Sequence, residues 1–141
     1  MSDLDCVFCR IVADTRQCTM IAEDESTLAF MDIHPANDGH CLVIPKAHFA
    51  TIFDIPPNAF AEVGRMVARV AVAVRDALGP SGLSLVQANG AAANQTVGHL
   101  HVHVLPRRDG DALMLNWPRT GDADPVRIAE LAGRIRRHMP V

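Results

Sequence analysis

The stretch His99-Leu100-His101-Val102-His103-Val104-Leu105 alternates imidazole and aliphatic side chains without a break. A period of two is the period of an extended strand, whereas a helix would scatter the same residues around its circumference. The three imidazoles then share one face, and Leu100, Val102 and Val104 enter a core on the other. Histidines two apart stand about 6.6 Å apart along such a strand and the outer two about 13 Å, so all three cannot comfortably ligate one ion. Three solvated histidines on an exposed strand is the plain alternative, but threonine is a more ordinary filler of such a face. The pattern reads as an active site or a metal site. A neutral imidazole, with an unperturbed pKa of about 6.5, is a nucleophile near neutral pH, and a second imidazole beside it can donate a proton or hold an anion. Attack on a phosphate would give a phosphohistidine-type intermediate and split one hard displacement into two easier ones.

Just ahead lies a small, polar loop from Asn89 to Gly98. Asn89-Gly90 and Asn94-Gln95-Thr96-Val97-Gly98 offer amide and hydroxyl donors with close backbone approach, the elements of a phosphate cradle. A Gly- and Asn-rich loop is more often only a turn, and its place before the histidine face is what raises it. Upstream, Met20 to Ala22, Thr27 to Met31 and His40 to Ile44 read as short strands bounded by turn residues, and Leu83 to Ala88 as a fourth. Between them Phe60, Val63, Val67, Val70, Val74 and Leu78 recur at three- and four-residue steps, a helical stripe of about six turns. Pro56-Pro57 fit its start and Gly79-Pro80 its end. Cys6 to Ala13 reads as a short helical turn, and Asp124-Pro125 as cap and first residue of a last helix burying Val126, Ile128, Leu131 and Ile135. Neighbouring strands with one long helix inserted before the last two predict an α+β fold, an antiparallel five-stranded sheet with one long helix and short flanking helices, rather than repeated βαβ units.

The chain has 141 residues, the size of one domain, 1–141, with a core at about 5–107 and a C-terminal extension with its helix at 108–141. A net charge of -3 is too mild for a general polyanion binder, and the absence of tyrosine removes common stacking platforms, which disfavours nucleic acid as a partner. No apolar run is long enough for a membrane span, and Met1 to Arg10 lacks a basic segment followed by an apolar one, so the chain is expected to be soluble and cytoplasmic, with no membrane partner.

Gln95-Thr96-Val97-Gly98-His99-Leu100-His101-Val102-His103-Val104-Leu105-Pro106-Arg107, together with Leu28-Ala29-Phe30-Met31-Asp32-Ile33-His34-Pro35 and Gly39-His40-Cys41-Leu42-Val43-Ile44-Pro45-Lys46-Ala47-His48, resembles the histidine-triad family of nucleotide hydrolases and transferases. The resemblance covers roughly residues 5 to 107 and implies that His101 attacks the α-phosphorus of a nucleotide, giving a nucleotidyl-histidine that water hydrolyses. It implies that the His99 carbonyl orients His101, that His103 and His40 contact phosphate, and that Gln95 and Thr96 face the phosphate and leaving group. Asp32 would hold the ribose hydroxyls, Phe30 and Ile33 the base, and Asn89 the ribose-phosphate end, although Phe30 and Ile33 also read as core. The family assembles as homodimers whose sheets join across the long helices, so a homodimer binding purine nucleotides, AMP derivatives above all, is expected. Trp117-Pro118 resembles an element that approaches the partner's site in the phosphoramidase branch, whereas Gln95-Thr96 with Val102 to Arg107 resembles the dinucleoside polyphosphate hydrolase branch.

Cys6-Val7-Phe8-Cys9 has the spacing of half a zinc site, which needs two further N or S ligands; Cys18, Cys41, His48 and His99 are candidates, and Cys41 also reads as core. Bacterial members with this cysteine pair use histidines at the positions of His48 and His99, so the resemblance implies a structural zinc on Cys6, Cys9, His48 and His99. A thioredoxin-like redox pair fits less well, since no βαβ unit surrounds it. The expected activity is hydrolysis of an adenylyl phosphoramidate or a dinucleoside polyphosphate. The alternatives are a nucleotide-binding or scaffold dimer with incidental turnover, a nucleotidyltransferase or phosphorylase, and, remotely, a mononuclear metal hydrolase.

Overall fold

Two strands, β2 (Thr27–Met31) after β1 (Met20–Glu23), and β3 (Cys41–Pro45), form the middle of the structure, and β2 and β3 are buried at every position. Residues buried on both faces in alternation mark strands covered on both sides. The computed structural model describes residues 5–113 and 123–140. Strands β4 (Gly82–Val86) and β5 (Val102–Arg107) complete one antiparallel sheet in the order β1-β2-β3-β5-β4. The expected α+β class and five-stranded antiparallel sheet are present.

Helices α2 (Pro57–Leu78) and α3 (Pro125–Arg137) cover one face. There Met31, Cys41, Val43, Leu100, Val102 and Val104 pack against Val63, Met66, Val67, Val70 and Val74 of α2 and Ile128, Leu131 and Ile135 of α3. Pro56 precedes α2, and Gly79 stops it with φ of 57°, its N–H returning to the Arg75 carbonyl at 3.0 Å. A left-handed residue at this position closes the last turn without steric cost only when it is glycine. Helix α3 is capped by the Asp124 carboxylate, which accepts from the Val126 and Arg127 amides. Val126 itself, expected in the core, is 79% exposed. The apolar stripe runs through Ile128, Leu131, Ala132 and Ile135, and a residue two before Ile128 lies about 200° around the helix from it.

The seven-residue helix α1 (Val7–Ala13) covers the opposite face, where Phe8 and Ile11 join Leu28, Phe30, Leu42 and Ile44. A short 3-10 turn at Thr15–Gln17, capped by Asp14, follows it and was not visible in the sequence pattern. Registers Phe30↔Leu42 and Leu42↔His103 set these three residues in one row on the α1 face. The last strand differs from expectation at its start: β5 begins at Val102, and His99 and His101 precede it. Pairing with β3 stops at Val43↔Val102, the Leu100 N–H goes instead to the Phe49 carbonyl at 2.7 Å, and the Pro45 carbonyl faces His99 Nε2 at 2.8 Å. Segregation of the two side-chain sets survives, because Leu100 is in the α2 core while His99 and His101 both lie against Phe8. Trp117 and Pro118 lie outside the described residues, among which no helix is long and apolar enough to cross a membrane.

The turn into β3 is set by Gly39, whose φ is +89° and whose missing Cβ would overlap Leu78 and press on Pro106. Gly39→Ala combines an unfavourable backbone conformation with overpacking, and should lower stability by about 2–4 kcal/mol. A urea titration should show this as a lower midpoint with an unchanged slope.

Candidate active site

Helix α1 and the approach to β5 bring Cys6, Cys9, His48 and His99 together, with one ligating atom from each within 4.8 Å of all the others. Cys6 Sγ lies 3.5 Å and Cys9 Sγ 3.4 Å from His99 Nδ1, and Cys9 Sγ lies 3.2 Å from His48 Nδ1. A zinc tetrahedron with bonds of about 2.3 Å to sulfur and 2.0 Å to nitrogen has S···N edges of about 3.6 Å, so these side chains stand close to closed coordination. His99 Nε2 donates to the Pro45 carbonyl, which leaves the Nδ1 lone pair on the side of the sulfurs. The donor set fits zinc: two soft thiolates, two imidazoles and no carboxylate.

His99 carries a second duty through its backbone. Its carbonyl lies 2.7 Å from His101 Nδ1. A carbonyl can only accept, so the proton of His101 sits on Nδ1 and the lone pair on Nε2. His101 is 4% exposed, with the Phe8 ring edge-on to it at 5.2 Å and the His103 ring at 5.0 Å.

A parallel argument assigns the other protons. His40 is fully buried, and its Nδ1 accepts the Ala36 N–H at 3.0 Å, so its proton is on Nε2. That Nε2 lies 2.8 Å from His103 Nδ1, which therefore accepts, placing the His103 proton on Nε2 as a donor. The Asp32 carboxylate stands beside this pair, 3.5 Å from His40 Nε2 and 3.9 Å from His103 Nδ1, while its other oxygen accepts the His34 amide at 2.8 Å. His40 thus sits behind His103. The loop from Asp32 to His40 is tied down by Asn37, whose amide donates to the Pro106 carbonyl at 2.9 Å and to Asp111 at 3.1 Å. The Arg107 guanidinium, followed by the Arg108 and Leu113 amides, holds the Asp111 carboxyl well below the usual carboxylate range.

A cavity of about 250 Å³ opens beside His101 and His103. Phe30, Leu42 and Phe8 line it, with Asp32 and the 62%-exposed Ile33 at its edge. Phe30 is both wall and core. Val7, Ile11 and His34 also line the cavity, and sequence reasoning did not single them out, because only the seating of α1 over the sheet brings the first two to it; Cys18, a candidate metal ligand by sequence, lines the cavity as well. Two predicted loop residues have other partners here. Gln95 accepts from the Gly90 amide at 2.7 Å and donates to the Ala50 and Val97 carbonyls, and Asn89 accepts from the Ile52 amide at 2.7 Å while donating to Gln87. They zip the loop after His48 to the loop before His99. Exposed Thr96 lines a neighbouring cavity with Cys6 and His48.

A HIT domain signature matches residues 14–110. The chain belongs to the HIT family. It is 38% identical over 137 residues to the adenylylsulfatase HINT3 of Arabidopsis thaliana, covering 96% of this chain and 70% of that one. It is 36% identical over 116 residues to the adenosine 5'-monophosphoramidase hnt1 of Schizosaccharomyces pombe, covering 82% and 84%. The crystal structure of a Zn-bound histidine triad family protein from Mycobacterium smegmatis superposes with a TM-score of 0.84 at 38% identity, over 97% of this chain and 94% of that one. Relatives of this HIT domain thus include named nucleotide hydrolases and a zinc-bound structure.

The remaining cysteines of the chain, Cys18 and Cys41, are separate from the Cys6, Cys9, His48 and His99 cluster. Burial, with Glu23 adding to it, pushes the Cys18 thiol up to about 11, and burial raises Cys41 further, its Sγ donating to the Gly39 carbonyl. Protein purified in the presence of zinc should hold one ion per chain, lost in Cys9→Ser. After chelation at pH 7.5, alkylation of the folded protein should reach Cys6 and Cys9 and spare Cys18 and Cys41. Equal labelling of all four thiols before and after chelation would contradict this assignment.

Proposed function

We propose that this protein hydrolyses a nucleoside monophosphate derivative, of the adenylyl phosphoramidate or mixed-anhydride kind, through a nucleotidyl-histidine on His101. The observation that carries the reading is the 2.7 Å contact between the His99 carbonyl and His101 Nδ1, which leaves Nε2 as the nucleophilic atom. The names of the Arabidopsis and fission yeast relatives support a nucleotide as the group transferred.

The purine nucleoside occupies the cavity, with its base between Phe30 and Ile33 and its ribose hydroxyls at Asp32. His101 Nε2 attacks the α-phosphorus, the P–N bond forms and the bond to the leaving group breaks. His103 Nε2–H donates to a phosphate oxygen and stabilises the charge that develops there; His40 acts through His103 by holding its tautomer. Thr96 and the amides of the Gln95 to Gly98 segment face the leaving group, which takes up a proton from solvent that the attacking water returns in the second step, and Asn89 serves the ribose-phosphate end by shaping that loop. Water then attacks phosphorus, the P–N bond breaks, and AMP leaves with His101 restored. Zinc held by Cys6, Cys9, His48 and His99 is structural, since four protein ligands leave no open position. No metal is needed for the chemistry.

The protein acts as a homodimer. An apolar groove between α2 and β4, lined by Phe60, Val63, Val67, Ala71, the 55%-exposed Leu85 and Val102, is the surface we assign to the second copy, which extends the sheet across the two-fold axis. His101→Ala should sediment as the same dimer and bind AMP, yet release AMP from an adenylyl phosphoramidate at least about a thousandfold more slowly. Turnover retained in that variant would remove His101 from the chemistry, whereas AMP binding with no turnover even in the wild type would leave nucleotide binding as the protein's role.

A further inference from the structure

The stretch Cys6-Val7-Phe8-Cys9 serves two centres at once. Its cysteines face His48 and His99, and the residues between them, Val7 and Phe8, line the cavity that holds His101. Phe8 is 7% exposed and makes edge contacts with three rings: Phe30 at 5.5 Å and 72°, His99 at 5.9 Å and 76°, and His101 at 5.2 Å and 84°.

We propose that Phe8 is a positioning residue for His101, kept in place by closure of the Cys6, Cys9, His48 and His99 set; this rests on the reading of His101 as nucleophile. The hydrogen bond to the His99 carbonyl fixes Nδ1, and rotation of the ring about that atom would carry Nε2 with it. The Phe8 ring at 5.2 Å and the His103 ring at 5.0 Å limit that rotation. Phe8 in turn sits on a helix of only seven residues, too short to hold itself in water. The attachments of that helix among the described residues include the packing of Phe8 and Ile11 against Leu28, Phe30, Leu42 and Ile44 and the two sulfurs, within 3.5 Å of the histidine nitrogens. Opening the ligand set removes one of these attachments and loosens the helix, and the ring that buttresses the nucleophile shifts with it. Misplacing a reacting atom by about an ångström costs up to about a hundredfold in rate while leaving ground-state binding largely intact. An effect of this kind falls on kcat, whereas a residue that only lines the nucleoside cavity acts on KM.

The test uses zinc-loaded protein, adenylyl phosphoramidate as substrate and AMP as binding probe. Phe8→Leu keeps an apolar side chain in the cavity wall but removes the ring edge; it should lower kcat about ten- to a hundredfold, by more than it raises KM or the AMP Kd, and Phe8→Tyr should restore kcat. Long-range ¹H–¹⁵N spectra should show His101 as the Nδ1–H tautomer throughout, with one sharp set of ring resonances in the wild type, broadened and shifted in Phe8→Leu and in chelated wild type, and restored by zinc. Chelated wild type carries the test should Phe8→Leu not fold. A Phe8→Leu variant with full kcat and raised KM, or a His101 spectrum indifferent to metal removal, would overturn the proposal. Failure of the underlying reading is separate: it shows as turnover that persists in His101→Ala.

Discussion

One buried residue, His99, is held at three atoms, and most of the site follows from where they point. Its Nδ1 faces two sulfurs, its Nε2 is engaged by the Pro45 carbonyl, and its own carbonyl takes the proton of His101. A fully buried imidazole with every polar atom committed has no freedom to rotate, because any other rotamer would strand a donor or an acceptor away from water. That rigidity passes through one peptide unit to the neighbouring histidine, where it selects a tautomer. The same logic runs through Ala36, His40 and His103, so two chains of fixed protons, each begun by the backbone, converge on one cavity. Preorganisation of this kind needs no rearrangement when charge develops on a phosphate.

The sheet supplies the frame by being covered on both faces. Alternation in β2, β3 and β5 sends one set of residues to the thick layer of α2 and α3 and the other to the thin layer of α1. The thick layer holds most of the apolar core and fixes the positions of the strands. The thin one leaves room for a ligand over Phe30, Leu42 and His103. A seven-residue helix forms a sufficient cover only with help, and the paired cysteines lie where that help is needed. The Cys6, Cys9, His48 and His99 cluster, the cavity wall and His101 are therefore one structural unit drawn from both ends of the described core.

Much of this was legible in the sequence. The period of two at His99 to Leu105 segregated the histidines from Leu100, Val102 and Val104 correctly, although the strand itself begins only at Val102. Proline and glycine marked both ends of α2, and Asp124 marked the start of α3. Val126 misled because an apolar residue beside a helical stripe reads as part of it until the stripe's angle is known. Identity of side chain alone could not reveal that the amides of Gln95 and Asn89 are engaged with neighbouring loop groups, nor that His40 stands behind His103. Those outcomes depend on which backbone groups lie within reach, a matter of tertiary placement. Phe8 was invisible for the same reason: an apolar residue between two cysteines carries no mark of the ring it will touch 93 residues further along the chain.

The account turns on which nitrogen of which histidine carries the nucleotidyl group. Mixing the protein with an adenylyl phosphoramidate and quenching rapidly into alkali, followed by peptide mapping and identification of the phosphohistidine isomer, tests it most directly. Adenylyl bound to Nε2 of His101 is the predicted result, since the His99 carbonyl occupies the Nδ1 proton throughout. Adenylyl on Nδ1 of His101, on His103 or on His40, or AMP formed with no covalent adduct at any time, would contradict it.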